Sequence, residues 1–162
     1  MAQLNAYLQF RDNAREAITF YQSVFGGDLT LSTFGEFGIT DDPAHSNMVM
    51  HAQLMAPGGL ALMAADTPPG MDYNGGSSIS LSLSGPAGDD ALLRGYWEKL
   101  LEGGEVREPL AQAPWGDSFG MLRDRFGINW MVNIAGAGEG AAGSGMGESV
   151  AEPGGEASGA AD

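Results

Sequence analysis

The chain has 162 residues, 43% of them hydrophobic, enough for one globular domain or for two half-size modules sharing a core. It contains no cysteine, which excludes disulfides, zinc–thiolate centres and thiol catalysis. Its formal net charge of −14 makes a surface that repels nucleic-acid phosphates and anionic lipid headgroups, so neither nucleic acid nor membrane is an expected partner. The start, Met1-Ala2-Gln3-Leu4, has no basic leader, and no apolar run approaches the ~20 residues that span a bilayer, so a cytoplasmic location is expected.

In chain order, Leu4 to Phe10 alternates, with Ala6, Leu8 and Phe10 on one face and Asn5, Tyr7 and Gln9 on the other, which predicts a half-buried strand. Asp12 or Asn13 is placed to cap a helix whose apolar residues, Ala14, Ala17, Ile18, Tyr21 and Phe25, recur at helical spacing. Gly26-Gly27 gives that helix a left-handed exit. Leu29 to Phe34 reads as a strand and Glu36 to Ser46 as a polar loop. Asn47 to Met55 and Leu60 to Ala65 read as strands joined by the turn Pro57-Gly58-Gly59.

The same order then repeats. Ser78, Ser80 and Ser82 alternate with Ile79, Leu81 and Leu83 in a strand. Asp89 or Asp90 precedes a helix carrying Leu92, Leu93, Tyr96, Trp97, Leu100 and Leu101, and Gly103-Gly104 ends it. Val106 to Gln112, Ser118 to Arg123 and Ile128 to Ile134 follow as strands. The chain therefore parses as an α+β domain over residues 1–135, made of two βαβββ modules at about 1–70 and 71–135. Helices on one face of a sheet and polar residues on the other imply a cavity or groove on the polar side. Residues 136–162 are rich in Gly, Ala and Ser, carry five acids and no base, and read as a disordered acidic tail.

The run YLQFRDNAREAITFYQSVFGG resembles the opening of vicinal oxygen chelate domains, the glyoxalase, bleomycin-resistance and extradiol-dioxygenase superfamily. MHAQL, SSISLSLSG and PWGDSFGMLRDRFGINWMVNI, in this order, are similar to its PhnB-like branch. The resemblance covers roughly residues 3–135 and implies a curved mixed sheet from each module, helices on the outer face, a shared ligand cup and frequent homodimers. It further implies four metal-ligating positions in the first and last strand of each module. Here the matching residues are Asn5 (Ala6 if the register slips by one), Met63, Ser78 and Met131. Amide, hydroxyl and thioether groups are poor ligands for zinc, nickel, iron or manganese, so no chelated metal or other cofactor is expected. A divalent metal on His51, Gln53 and Asn5 is the alternative.

By strand parity the cup is lined by Asn5, Tyr7, Gln9, His51, Gln53, Met63, Ser78, Ser80, Asn129, Met131 and Asn133, with Trp115 in a loop beside it as lid or dimer contact. This neutral mixture suits a small neutral or planar polar ligand. In the WGxxxG segment Ser118 stands where a base is common in the family, which weakens any anion clamp. His51 is the candidate catalytic residue, with an ordinary strand histidine as the other reading; His45 reads as a solvated loop residue. Asp124 and Arg125 read as a turn, and Trp97 and Trp130 as core. No GxSxG nucleophile elbow occurs, and GAGEG and GSGMG fall in the tail without a strand–helix context. The expected function is small-molecule binding without a chelated metal; the alternative is a metal-dependent lyase, isomerase or transferase of the same superfamily.

Overall fold

The computed structural model describes residues 2–76 and 78–137. Ser77 and positions 138–162, which include nearly all of the expected tail, lie outside the described residues. The first module runs β1 (Ala6–Phe10), α1 (Ala14–Phe25), β2 (Asp28–Thr33), β3 (Val49–Ala56) and β4 (Leu60–Asp66). The second runs β5 (Leu81–Gly85), α2 (Asp90–Leu100), β6 (Glu105–Gln112), β7 (Ser118–Arg123) and β8 (Asn129–Ile134). The sheets have the same strand order, β1-β4-β3-β2 and β5-β8-β7-β6. In each, the first and last strands pair in parallel and the rest antiparallel, so the repeat predicted from sequence is a repeat of topology.

Each helix covers one face of its own sheet and the two helices touch. α1 buries Ala14, Ala17, Ile18, Tyr21 and Phe25, the stripe its spacing predicts, together with Phe20 and Val24. Leu8 and Phe10 of β1, Ala52 and Leu54 of β3 and Leu62 and Ala64 of β4 meet it. Phe25, Tyr21, Tyr96 and Trp130 carry the same core across to the second module, with Phe25–Tyr96 ring centroids 4.9 Å apart. Trp97 and Trp130 are both buried, as predicted.

The helix exits share one device. A Cβ on Gly27 would stand 2.1 Å from the Met55 carbonyl oxygen, and one on Gly104 would stand 2.4 Å from the Arg123 carbonyl oxygen. Each glycine thus lets the chain leave its helix pressed against the third strand of its own module.

Several expectations need correcting. Neither Asp12 nor Asn13 caps α1 through its side chain. The buried Asp66, at the end of β4, accepts the Ala14 N–H at 3.0 Å and the Val49 N–H at 2.9 Å. A carboxylate facing a helix N-terminus satisfies an orphan donor and suits the helix dipole together. β1 begins at Ala6, so Asn5 precedes the strand, and β5 begins at Leu81, so Ser78 and Ser80 precede it. The alternation was read correctly, but alternation alone does not say where pairing starts.

Asp124 does form the predicted turn, accepting the Phe126 and Ile128 N–H groups on Oδ1. Its Oδ2 also accepts the Tyr21 hydroxyl at 2.6 Å and the Trp130 indole N–H at 2.9 Å. One buried carboxylate therefore ties α1 of the first module to β8 of the second. Burial and the Asp124 charge beside it push the Tyr21 phenol far above its ordinary range, against a smaller opposing effect of Arg125.

Candidate functional site

The sheet faces turned away from the helices carry the polar residues. In the first module the register lines up Tyr7, Met63, Gln53 and Thr30 across β1, β4, β3 and β2. Gln9 pairs with Ala65 and His51 with Ser32 in the adjoining row. In the second module Ser82, Met131 and Met121 form one row, and Ser84, Asn133 and Phe119 the next. Asn129 pairs with Arg123 at the far end. The parity argument places Tyr7, Gln9, His51, Gln53, Met63, Asn129, Met131 and Asn133 on these faces. Strand pairing sets Tyr7 opposite Met63, Ser82 opposite Met131 and Ser84 opposite Asn133.

On the first face the Tyr7 hydroxyl and His51 Nδ1 lie 3.1 Å apart, with the rings 5.7 Å apart. Partial burial pushes the Tyr7 phenol above its ordinary value, so it keeps its proton at neutral pH. If that proton goes to Nδ1, His51 presents Nε2–H as a donor; the opposite tautomer presents Nε2 as an acceptor. Beside them the Gln53 amide nitrogen donates to the Met55 sulfur at 3.2 Å.

On the second face a tight turn brings Trp115 to the rim. Gly116 N–H donates to the Ala113 carbonyl, Ala113 N–H to the Asp117 carbonyl, and Gly116 has φ +101°. Trp115 is 66% exposed and its ring lies 6.2 Å from that of Phe119. The Asp117 carboxylate accepts the Gly136 N–H at 3.0 Å and the Asn133 amide nitrogen at 3.1 Å. These two bonds, the backbone one first, hold its carboxyl below the usual carboxylate range. Asp117, Ser82, Ser84, Phe119 and Met121 were missing from the sequence-derived cup. Parity from Ser118 and from the Ser-Leu alternation carries a signal for all but Asp117.

A large concavity lies elsewhere. A groove of about 890 Å³ follows the outer side of α1, with Asp12, Arg15, Glu16 and Glu102 among its lining. Three of its polar groups are already engaged: Arg15 donates to the Asn47 carbonyl, Asp66 caps α1, and Arg125 lies 4.3 Å over the Phe20 ring. His45, also on this groove, bonds Asp42 of its own loop at 3.0 Å. Mixed charge and internal pairing make it a poor recognition site. The sheet faces, with unengaged amide oxygens, thioethers and an imidazole edge, are the better candidate.

The model of the Glyoxalase/Bleomycin resistance protein/Dioxygenase superfamily matches residues 3–132. The chain belongs to this superfamily. Among solved relatives of the superfamily fold, protein PA1353 from Pseudomonas aeruginosa is 39% identical, with a TM-score of 0.69, over 84% of this chain and 99% of that one. A PhnB protein from Bacillus cereus, described as a putative 3-demethylubiquinone-9 3-methyltransferase, is 24% identical with a TM-score of 0.64, over 83% of this chain and 100% of that one. Protein YjdN of Escherichia coli is 25% identical over 143 residues, 81% of this chain and 94% of its own.

Metal-dependent members of the superfamily imply a metal on the cup face, and the residues here do not fit one. By strand pairing the positions are Tyr7, Met63, Ser82 and Met131, a phenol, two thioethers and a hydroxyl. Among the described residues no group of three His, Cys, Asp or Glu side chains converges. A divalent ion needs several deprotonated N or O ligands at one point, and His51 supplies one imidazole whose Nδ1 is engaged by Tyr7.

Proposed function

We propose that this chain binds a small, neutral and polar molecule on its sheet faces, without a chelated metal. The observation that carries the reading is the donor set itself. Where chelating members need carboxylate and imidazole, these faces offer Met63, Met131, Ser82 and the Tyr7–His51 pair. Thioethers adapt to ligand shape, and the hydroxyl, amide and imidazole groups fix orientation. Trp115, exposed at the rim beside Phe119, supports an aromatic edge to the site.

The test combines metal analysis with thermal shift. Protein purified without a His-tag or chelator should carry well under one equivalent of divalent metal. Excess zinc, nickel or manganese should leave the melting temperature unchanged, because tight binding to the native state must raise it. Planar amides and heterocycles should raise it, and Tyr7→Phe or His51→Ala should reduce that rise. One equivalent of co-purifying metal, lost in His51→Ala, would instead make the metal-dependent enzyme the better reading. The reading extends to two copies pairing near Trp115. Light scattering at micromolar concentration should give the dimer mass, and a monomer mass would remove that part.

A further inference from the structure

Two amide groups of the faces, Asn133 and Gln53, are not free to choose which end they show a ligand. A carboxylate accepts and does not donate, so the Asn133 atom 3.1 Å from the Asp117 carboxylate is the NH₂ nitrogen. With that nitrogen held, Asn133 turns its carbonyl oxygen the other way, in the row it shares with Ser84 and Phe119. Gln53 obeys the same logic on the other sheet. A thioether sulfur cannot donate, so the Gln53 nitrogen faces Met55 and its oxygen is left over. Both modules thus use up an amide donor internally and leave an amide acceptor.

The geometry points to a ligand that donates hydrogen bonds, such as an amide or lactam N–H compound, with Asp117 as the positioning residue that fixes the polarity of Asn133. This rests on the proposed small-molecule function and narrows it to a chemical class. Asp117 is well held for the task. It also accepts the Gly136 N–H, and a Cβ on Gly136 would stand 2.6 Å from the Gly116 carbonyl oxygen, so the strand exit is pressed against the turn that carries Asp117. The same bonds that hold it keep the carboxyl ionised at neutral pH, when it can only accept. At Asn133 this polarity disfavours acceptor-only ligands, because a carbonyl or ester oxygen brought to Asn133 Oδ1 would leave two desolvated acceptors facing each other.

Two neutral, planar probes of similar size separate donor from acceptor without involving charge: benzamide, which has N–H donors, and methyl benzoate, which has none. Titration is followed by NMR on the backbone and side-chain amides. Benzamide should bind about tenfold more tightly, the effect of one well-made hydrogen bond, and should shift the Asn133 and Gln53 side-chain signals. In Asp117→Asn the new amide can donate to Asn133 Oδ1, so Asn133 can turn its NH₂ outward and the ratio of affinities should fall towards one. Asn133→Leu should lose the preference as well, with no gain for the ester. A purely structural role for Asp117 would weaken both probes together and leave their ratio unchanged, which would overturn the inference. Methyl benzoate binding as tightly as benzamide to the unaltered chain would also overturn it, while leaving the small-molecule function standing. If neither probe moves any residue of either face, the function and the inference fall together.

Discussion

Replacing Tyr21 by Phe removes one hydroxyl from the junction between modules and changes almost nothing else in shape. That hydroxyl donates to Asp124 Oδ2 at 2.6 Å inside the core, where Trp130 Nε1 donates to the same oxygen at 2.9 Å. A hydrogen bond to a buried charged group contributes about 1.5–3 kcal/mol. For a domain of this size roughly 3–4 °C of melting temperature accompanies each kcal/mol, so a fall of roughly 5–12 °C is expected by calorimetry. Asp124→Ala should cost at least ~3 kcal/mol, since it strands the Tyr21 and Trp130 donors and two backbone N–H groups at once. The pH dependence gives an independent check. Folding raises the Tyr21 pKa above its unfolded value of about 10, so the contribution is complete below that pH and is lost as pH rises beyond it. The loss should approach ~1.4 kcal/mol per pH unit for this one group, and Tyr21→Phe should remove that part of the alkaline slope. A Tyr21→Phe variant within ~0.5 kcal/mol of the parent, the ordinary range of an inconsequential surface change, or one with an unaltered alkaline limb, would refute the role given to the junction.

Gly27→Ala should destabilise the chain by more than ~2 kcal/mol, because its Cβ would stand 2.1 Å from backbone at Met55, whereas Gly26→Ala, facing open space at φ +73°, should cost only ~1 kcal/mol of backbone strain. Urea unfolding of the pair tests this, and equal losses would contradict it. Asp66→Ala should speed amide exchange at Ala14 and Val49, the two donors it releases, and lower stability by about 1–3 kcal/mol. Cutting the chain after Ala137 should leave the melting temperature within a few degrees. Cutting after Ala135 also removes the Gly136 N–H from Asp117, so the Asp117 pKa should rise in that truncation, read from its side-chain carboxyl signal in an NMR titration. Because folding depresses that pKa, the Asp117 contribution is present above about pH 4 and is lost as pH falls through the lower folded value. Asp117→Asn should therefore flatten the acid limb of the stability curve.

What the sequence shows well is what depends on neighbours a few residues apart. The α1 stripe from Ala14 to Phe25, the alternation in β1 and β8 and the turn at Asp124 all follow from local spacing, and the structure reproduces them. What it hides is set by partners far along the chain. Asp66 caps a helix 52 residues earlier, and Tyr21 reaches Asp124 across 103 residues, so neither could be found from a local capping pattern. The face residues were partly legible for the same reason. Parity placed Tyr7, His51 and Gln53 correctly relative to one another. In the run Ser78 to Ser84, however, every second residue is Ser, so the pattern fits a strand that starts early as well as one that starts at Leu81, and only pairing with β8 selects Ser82 and Ser84. Asp117 carries no periodic signal, and its meaning comes from Asn133 and Gly136 closing over it.

The long reach of Asp66 also bears on synthesis. A ribosome releases the chain from its amino end, so α1 emerges complete while the carboxylate that closes its first turn, 52 residues after Ala14, is still to come. Until β4 has left the exit tunnel, α1 has an open end and an apolar stripe with only β1 to β3 to cover it. The first module therefore has a definite moment of completion, the arrival of residue 66. A nascent chain stalled just short of that point should be protease-sensitive in α1, and one stalled after β4 is fully exposed should be protected there.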